Sequence, residues 1–499
     1  MHLTMLLDMA CDGFGDRVVV GRVSDGLTPA DLRRRARAGA ALLRSHRAEA
    51  LLYVAVNGPA YPVAMFAAAF AGVPLVPVNY RLGEEQLDYL LSQHQNALVV
   101  TAPESVAHMG QLGLTALTTD EWLSGTDVDD DESDPEWTEA PAIIIYTSGT
   151  TSKPKGVLLR HENLVSYVLG SVEFAGAAQD DAALVSVPPY HIAAVANVLS
   201  NLFSGRRTLV LEQFTPQEWL GLVRDEQVTN ALVVPTMLAR IVGSDGDLSV
   251  PSLRNLAYGG AAMPTRIIET ALSLWPEVGF VNAYGLTETS STIAVLGPDD
   301  HRAALASDDP AVRARLGSTG RVLPTIDLEI RDPFDEVLPT GSVGRICVRG
   351  DQVSAEYAGI GRAVDERGFF DTRDKGYLDE DGYLFIGGRV DDTIIRGGEN
   401  IAPAEIENVL LDHEDVDDCA VVGVADDEWG QRIEAAVVAR PGRTIDPEQL
   451  RQHVRLHLRG SKTPDRIHVM DELPRTETGK LVRRRVVTAI AEAAEVVDA

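Results

Sequence analysis

Lysine is nearly missing from this chain of 499 residues: five of its 44 basic residues are lysine (Lys153, Lys155, Lys375, Lys462 and Lys480) and the rest are arginine. Positive charge is itself short, with 74 acidic residues and a formal net charge of −30. Such a surface repels polyanions, which excludes nucleic acid and anionic membrane as partners. Cysteine is scarce too. Cys11, Cys347 and Cys419 are isolated, so they form neither a disulfide framework nor a metal-ligand spacing, and a reducing cytoplasm is expected. Long uninterrupted apolar runs are lacking: the stretch 61–78 is broken by Pro62, Gly72, Pro74 and Pro77, which predicts a buried helix followed by a short strand instead of a membrane span. The first eight residues lack the basic start and apolar core of a secretory signal, so no export is expected. Acidic clusters at 127–136 and 412–418 read as solvated loops or helix ends.

The length exceeds one ordinary hydrophobic core, so at least two domains are expected. Apolar β-rich runs at 51–56, 97–100, 183–187, 208–211 and 231–234 alternate with segments of helical period, which predicts an α/β fold with mostly parallel, helix-covered sheets. From Gly317 the texture changes to short strands separated by Gly, Pro and Asp, predicting a small β-rich subdomain over about 317–390. Beyond Asp391 the pattern is strand, Gly-rich turn, helix at 403–411, strands at 418–424 and 433–439, helix at 447–458 and a basic tail. That is a compact α+β unit at 391–499, with Asp391 and Asp392 at the joint as the natural hinge.

Two of the five lysines fall in one segment. Residues 146–156 read Tyr-Thr-Ser-Gly-Thr-Thr-Ser-Lys-Pro-Lys-Gly and follow the apolar run 142–145. A buried strand delivering hydroxyls, backbone N–H groups and ammonium groups to one small volume suits a polyphosphate. The segment is not a Walker A loop, because Lys155 lies between Pro154 and Gly156 instead of following Gly and preceding Ser or Thr. A plain polar surface turn is the blander reading, and it does not account for the buried strand in front.

With that loop, six later segments in order resemble the adenylate-forming superfamily: acyl- and aryl-CoA synthetases, luciferases and the adenylation domains of peptide synthetases. They are Pro188-Pro-Tyr-His191, Ala257-Tyr-Gly-Gly-Ala-Ala-Met-Pro264, Tyr284-Gly-Leu-Thr-Glu288, Asp371-Thr-Arg-Asp374, Gly388-Arg-Val-Asp391 and Pro474-Arg-Thr-Glu-Thr-Gly-Lys480. The resemblance implies an N-terminal adenylation domain, 1–390, of two mostly parallel helix-covered sheets plus a small β-barrel-like subdomain. A small mobile α+β domain, 391–499, would follow, hinged at Asp391. It further implies ATP, Mg²⁺ and coenzyme A as reactants. Thr147, Ser148, Gly149, Thr150, Thr151 and Lys155 would hold the departing phosphates. Glu288 would hold Mg²⁺ with Thr147 as a hydroxyl ligand, Thr287 would meet the α-phosphate, and Lys480 would bridge carboxylate and α-phosphate. Gly260, Ala261, Asn282, Ala283, Tyr284 and Gly285 would face the nucleotide, with Tyr284 stacked on adenine, Asp374 accepting the ribose hydroxyls and Arg389 supporting it. His191, Ile192, Val195, Ala196, Tyr258 and Gly259 would line the acyl pocket, His191 close to the reacting carboxylate. Arg396, Gly397 and Gly398 would form the coenzyme A tunnel after the C-terminal domain rotates.

The expected reaction is ATP-dependent acid–CoA ligation through an acyl-AMP, with a small-molecule carboxylic acid and CoA as partners and a monomer or homodimer as the assembly. No Asp occurs between Pro188 and Asn197 to pair with an amine, and the pocket segments are small and apolar, favouring a hydrophobic acid of medium to long chain or bulky polycyclic shape. Alternatives are delivery to a separate carrier protein or a catalytically impaired ligand-binding protein. Three positions depart from the family pattern: Ser152 for a glycine, Arg373 for the glycine of the ribose motif, and Arg345 for a glutamate.

Overall fold

The computed structural model describes residues 1–128, 135–147, 154–389, 392–396, 399–426, 429–458, 460–476 and 481–497. Its mixed α/β architecture matches the expected class. Among the described residues, one eight-stranded sheet runs in the order Gly361–Arg362, Glu356–Tyr357, Lys155–Leu159, Ile143–Thr147, Leu75–Pro77, Ala50–Val54, Ala97–Thr101, Thr115–Thr118. The last five pair in parallel, as helix-connected strands must, while Lys155–Leu159 turns back antiparallel on Ile143–Thr147. A seven-stranded sheet runs Arg321–Val322, Ser291–Leu296, Gly279–Leu286, Asn255–Gly259, Asn230–Val233, Ala182–Val185, Arg207–Val210, antiparallel only across its first two junctions.

The helix Ala60–Ala71 and strand Leu75–Pro77 resolve the broken apolar stretch as expected: every residue of that helix is buried, and Gly72 ends it at φ 68° in the left-handed conformation that glycine tolerates best. Among the described residues no helix is long and apolar enough to cross a membrane. The β-rich subdomain takes the form of a four-stranded antiparallel sheet, Asp327–Arg331, Gly344–Arg349, Phe370–Leu378 and Leu384–Arg389. After it come the hairpin Ile394–Arg396 with Glu399–Ile401, helix Pro403–Leu411, strands Val416–Asp426 and Gly430–Ala439, helix Pro447–His457 and strand Arg466–Met470. This C-terminal unit has its own apolar core around Ile406, Leu410, Val421, Ile433 and Val437, as a separately foldable domain requires.

The candidate site lies where strands end. Lys155–Leu159 carries Lys155 back beside Thr147, and Gly279–Leu286 runs directly into the tight turn Thr287–Thr289 that holds Glu288. Ligands of helix-covered sheets gather beyond the carboxyl ends of their strands, where side chains can face a crevice without breaking the ladder.

Candidate active site

The strand Gly279–Leu286 bulges between Tyr284 and Gly285 where it pairs with Ser291–Leu296. Glycine is needed at that bulge: a Cβ on Gly285 would lie 1.8 Å from the Ser291 carbonyl oxygen. Just beyond Glu288, Ser290 and Ser291 take φ of 55° and 111°, a left-handed stretch costly for residues with a side chain. Gln352 holds it in place. Its Nε2 donates to the carbonyls of Thr289 (3.0 Å) and Thr292 (2.8 Å), while Ser290 Oγ donates to the Gln352 carbonyl.

Two clusters form around this turn. In the first, Tyr284 donates its hydroxyl to Asp374 Oδ2 (2.6 Å), and Arg389 Nη1 donates to Asp374 Oδ1 (3.0 Å) and to the Thr372 carbonyl (2.9 Å). Asp374 is 7% exposed, so this carboxylate is largely out of water and depends on both donors. Burial, and then the Asp374 charge, push the Tyr284 phenol well above its ordinary range, keeping it a donor at neutral pH. Burial works against the Arg389 charge, but Asp374 outweighs it and holds the guanidinium above its ordinary value.

In the second cluster, Glu288 accepts at Oε1 from the Tyr357 hydroxyl (3.0 Å), and Lys155 Nζ stands 5.9 Å above the centre of the Tyr357 ring. Thr147 and Lys155 are register partners, with Thr147 Oγ1 donating to the Lys155 carbonyl at 3.5 Å. Glu288 and Thr147 both offer oxygen ligands, the donor chemistry that suits Mg²⁺, and among the described residues Oε2 of Glu288 meets no hydrogen-bond donor. These two residues therefore fit a hard divalent cation. The two clusters adjoin, because the strand that ends beyond Tyr284 runs straight into the turn holding Glu288.

Around them, Asn282 Nδ2 donates to the Ser318 carbonyl (2.9 Å), which turns its side chain toward the protein, while Gly260 and Ala261 are exposed at the rim. Gly259 must lack a side chain, since a Cβ there would lie 2.3 Å from the Ala283 carbonyl oxygen. His191 caps the helix Ile192–Ser204 by accepting from the Ala193 N–H (3.3 Å) at Nδ1.

The residues expected at the acyl pocket are largely buried. Tyr258 is fully buried with its hydroxyl on His301 (2.8 Å), because it sits in the core between the seven-stranded sheet and its helices. Ile192, Val195 and Ala196 likewise lie in the main core. A cleft of about 310 Å³ opens among Tyr80, Val187, Pro188, Pro189, Phe214 and Met237, with Arg475 and Thr476 reaching it from the C-terminal unit.

Several expected site residues lie outside the described residues: Ser148, Gly149, Thr150, Thr151, Lys480, Gly397, Gly398 and the hinge Asp391, as does the departure Ser152. Arg396 of the Gly-rich turn is described. It pairs with Asp465 (2.7 Å) and lies over the Trp429 ring (5.7 Å). The other two departures acquire explanations. Arg373 keeps the left-handed backbone that glycine would supply (φ 61°) and is exposed, its charge felt by Tyr357, and Arg345 ties Asp371 to Asp335 at 2.7 and 2.6 Å.

Comparison with known proteins decides the family. The profile described as AMP-binding enzyme matches residues 7–358, and that of the AMP-binding enzyme C-terminal domain matches 405–480. The chain belongs to the AMP-binding enzymes. A feruloyl-CoA synthase of Amycolatopsis sp. is 34% identical over 472 residues, 92% of this chain and 93% of that one. A fatty acid–[acyl-carrier-protein] ligase, ScoC of Streptomyces coeruleorubidus, is 31% identical over 87% of this chain and 85% of its own. The o-succinylbenzoate CoA synthetase of Bacillus subtilis, solved with its acyl-adenylate, superimposes with a TM-score of 0.83 at 26% identity, covering 96% of this chain and 97% of that one. These likenesses place this AMP-binding enzyme with the adenylate-forming acid–thiol ligases. Tyr357 and Gln352 carried no signal in the sequence, because each acts across more than 60 residues on a turn whose shape only the fold reveals.

Proposed function

We propose that this AMP-binding enzyme activates a hydrophobic carboxylic acid with ATP and passes the acyl group to coenzyme A. The observation that carries the reading is that Tyr284, held with Asp374 and Arg389, lies on the strand that runs into the turn of Glu288, held with Tyr357 beside the Lys155 ammonium group. Acid oxygen attacks the α-phosphorus, the bond to pyrophosphate breaks, and the thiol then displaces AMP from the acyl carbon. Both partners of the first step are anions, so fixed positive charge must stand where they meet. Lys155 faces the departing phosphates, Thr287 the α-phosphate, and Lys480 the bridge between the reacting groups. Glu288 and Thr147 would hold Mg²⁺, which neutralises phosphate charge when bound. Asp374 would accept the ribose hydroxyls, with Arg389 keeping it aligned.

The cleft's Tyr80, Val187, Pro188, Leu211, Phe214 and Met237 suit the apolar body of an acid larger than acetate, beside a polar share of the lining that includes Asn57, Arg81, Glu212 and Arg240. The feruloyl-CoA synthase likeness adds weight to the bulky, ring-bearing side of that range. The likeness to ScoC favours one second reading, delivery to a separate carrier protein.

Exchange of labelled pyrophosphate into ATP across a panel of fatty and aryl acids tests the first step. Acid-dependent exchange with AMP as final product is expected, strongest for apolar acids. ADP formation, or no exchange with any acid, would sink the reading, and thioester formed with a holo-carrier but not with CoA would transfer it to the carrier alternative.

A further inference from the structure

The short strand Glu356–Tyr357 comes from the β-rich stretch of the chain but pairs with the eight-stranded sheet, on the outer side of Lys155–Leu159. It is stitched there at several points. The Ser354 hydroxyl donates to the Leu158 carbonyl, Glu356 pairs with Arg160 at 2.8 Å, and the Ala358 N–H donates to the Gly156 carbonyl at 2.8 Å. On its other side the Ala355 N–H donates to the Glu288 carbonyl at 3.0 Å. One five-residue segment thus clips the strand bearing Lys155 to the turn bearing Glu288.

Tyr357 is the only member of that clip whose side chain touches both functional groups. Its hydroxyl meets Glu288 Oε1 at 3.0 Å and its ring face lies 5.9 Å from Lys155 Nζ. A ring attracts an ammonium group through its negative face, and a phenol hydrogen bond fixes which carboxylate oxygen is used. Glu288 stands on a turn followed by two positive-φ residues, so its side-chain direction is not set by a regular element. With Oε1 occupied, Oε2 is left to face a cation.

We propose that Tyr357 is a positioning residue for the nucleotide-bound divalent cation, orienting the Glu288 carboxylate and holding Lys155 at a set distance from it. The proposal rests on the acid-activating reading of the site. Outer partners that orient a metal-ligating carboxylate typically change metal affinity by about 10- to 100-fold when removed.

Tyr357→Phe deletes the hydroxyl and keeps the ring, so Lys155 retains its contact and the strand its packing. The test is Mn²⁺ binding to the full chain in the presence of ATP, followed by electron paramagnetic resonance, with thermal denaturation in parallel. We expect Mn²⁺ affinity to fall by about tenfold or more and the half-saturating Mg²⁺ concentration for pyrophosphate exchange to rise in step. The thermal midpoint should stay within about 2 °C of wild type, since a single partly exposed hydrogen bond is worth roughly 1 kcal/mol. Adding the change to Glu288→Gln should cost nothing further, because the carboxylate being oriented is already gone. Unchanged Mn²⁺ affinity in Tyr357→Phe overturns the proposal, as does a full additional loss in the double variant. Wild-type protein that binds no Mn²⁺ with ATP would instead overturn the acid-activating reading beneath it.

Discussion

Asp374 concentrates most of the demands on a single residue. It is buried, accepts from a phenol on one oxygen and from a guanidinium on the other, and so cannot be replaced by its own amide without presenting an N–H to one of two donors. Asp374→Asn is expected to destabilise the protein by about 2–3 kcal/mol, as loss of a charge-assisted hydrogen bond and an unmatched Arg389 require. It should weaken ATP binding by at least roughly tenfold, since 1.4 kcal/mol is a factor of ten. Urea denaturation and calorimetric titration with ATP check the two effects, and unaltered ATP affinity would remove Asp374 from the nucleotide site. The residue was singled out in the sequence through its short motif, and the structure sets it against Tyr284 and Arg389. Tyr357 was not, because Glu356-Tyr357 has no local pattern and acquires its partner from a turn 69 residues earlier. The surroundings of Tyr258 were not legible for the related reason that strand alternation, invisible without the register, turns its side chain to the core and leaves Gly259 beside Ala283.

Elements constrain the site through their backbones. The bulge at Tyr284 and Gly285 aims the Glu288 turn, and Gly285 admits the Ser291 carbonyl where any Cβ would overlap it at 1.8 Å. Gly285→Ala should therefore cost more than about 3 kcal/mol or shift the bulge and abolish pyrophosphate exchange, whereas Gly387→Ala should stay within about 1 kcal/mol, its added methyl meeting nothing closer than the Lys375 carbonyl oxygen at 3.7 Å. Comparing denaturation midpoints of the two variants decides it. A second element-level prediction concerns the start of the helix His161–Ser171. His161 stacks on His2 with ring centroids 3.8 Å apart and accepts from the Leu3 N–H at Nδ1 (3.3 Å), so it is neutral in the fold. Burial, and then the neighbouring His2, lower its pKa to about 3. The unfolded chain then binds the extra proton between about pH 6.5 and 3, so stability is complete above that window and falls as pH drops through it. Between pH 6.5 and 5 the loss should approach about 2 kcal/mol at most, and His161→Phe should flatten the dependence measured by urea midpoints at several pH values. An equal slope in the variant would assign the pH dependence to other groups.

At the scale of the whole molecule, the alternation of strands and helices was enough to foresee parallel, helix-covered sheets, because hydrophobic period is local, while their number came from the family resemblance. How the C-terminal unit meets them was not, since that depends on surfaces brought together only after folding. Arg475 and Thr476 reach a cleft whose remaining walls, among them Pro188, Val234 and Met237, belong to the N-terminal sheets. Arg475 is anchored in its own unit by Asp418 at 2.7 Å. In the role proposed for it, Lys480 serves the first half-reaction, in which carboxylate and α-phosphate repel each other. It has no comparable task in the second, where the activated acyl group already carries its leaving group. Lys480→Ala should then cut pyrophosphate exchange by about 10²–10³-fold, the usual cost of one charge-stabilising donor, while thioester formation from supplied acyl adenylate changes only a few-fold. Rapid-quench measurement of each half-reaction separates them. Equal losses in both would mean that the two steps share one arrangement of the units, and that Arg475 and Thr476 sit at the cleft throughout the cycle.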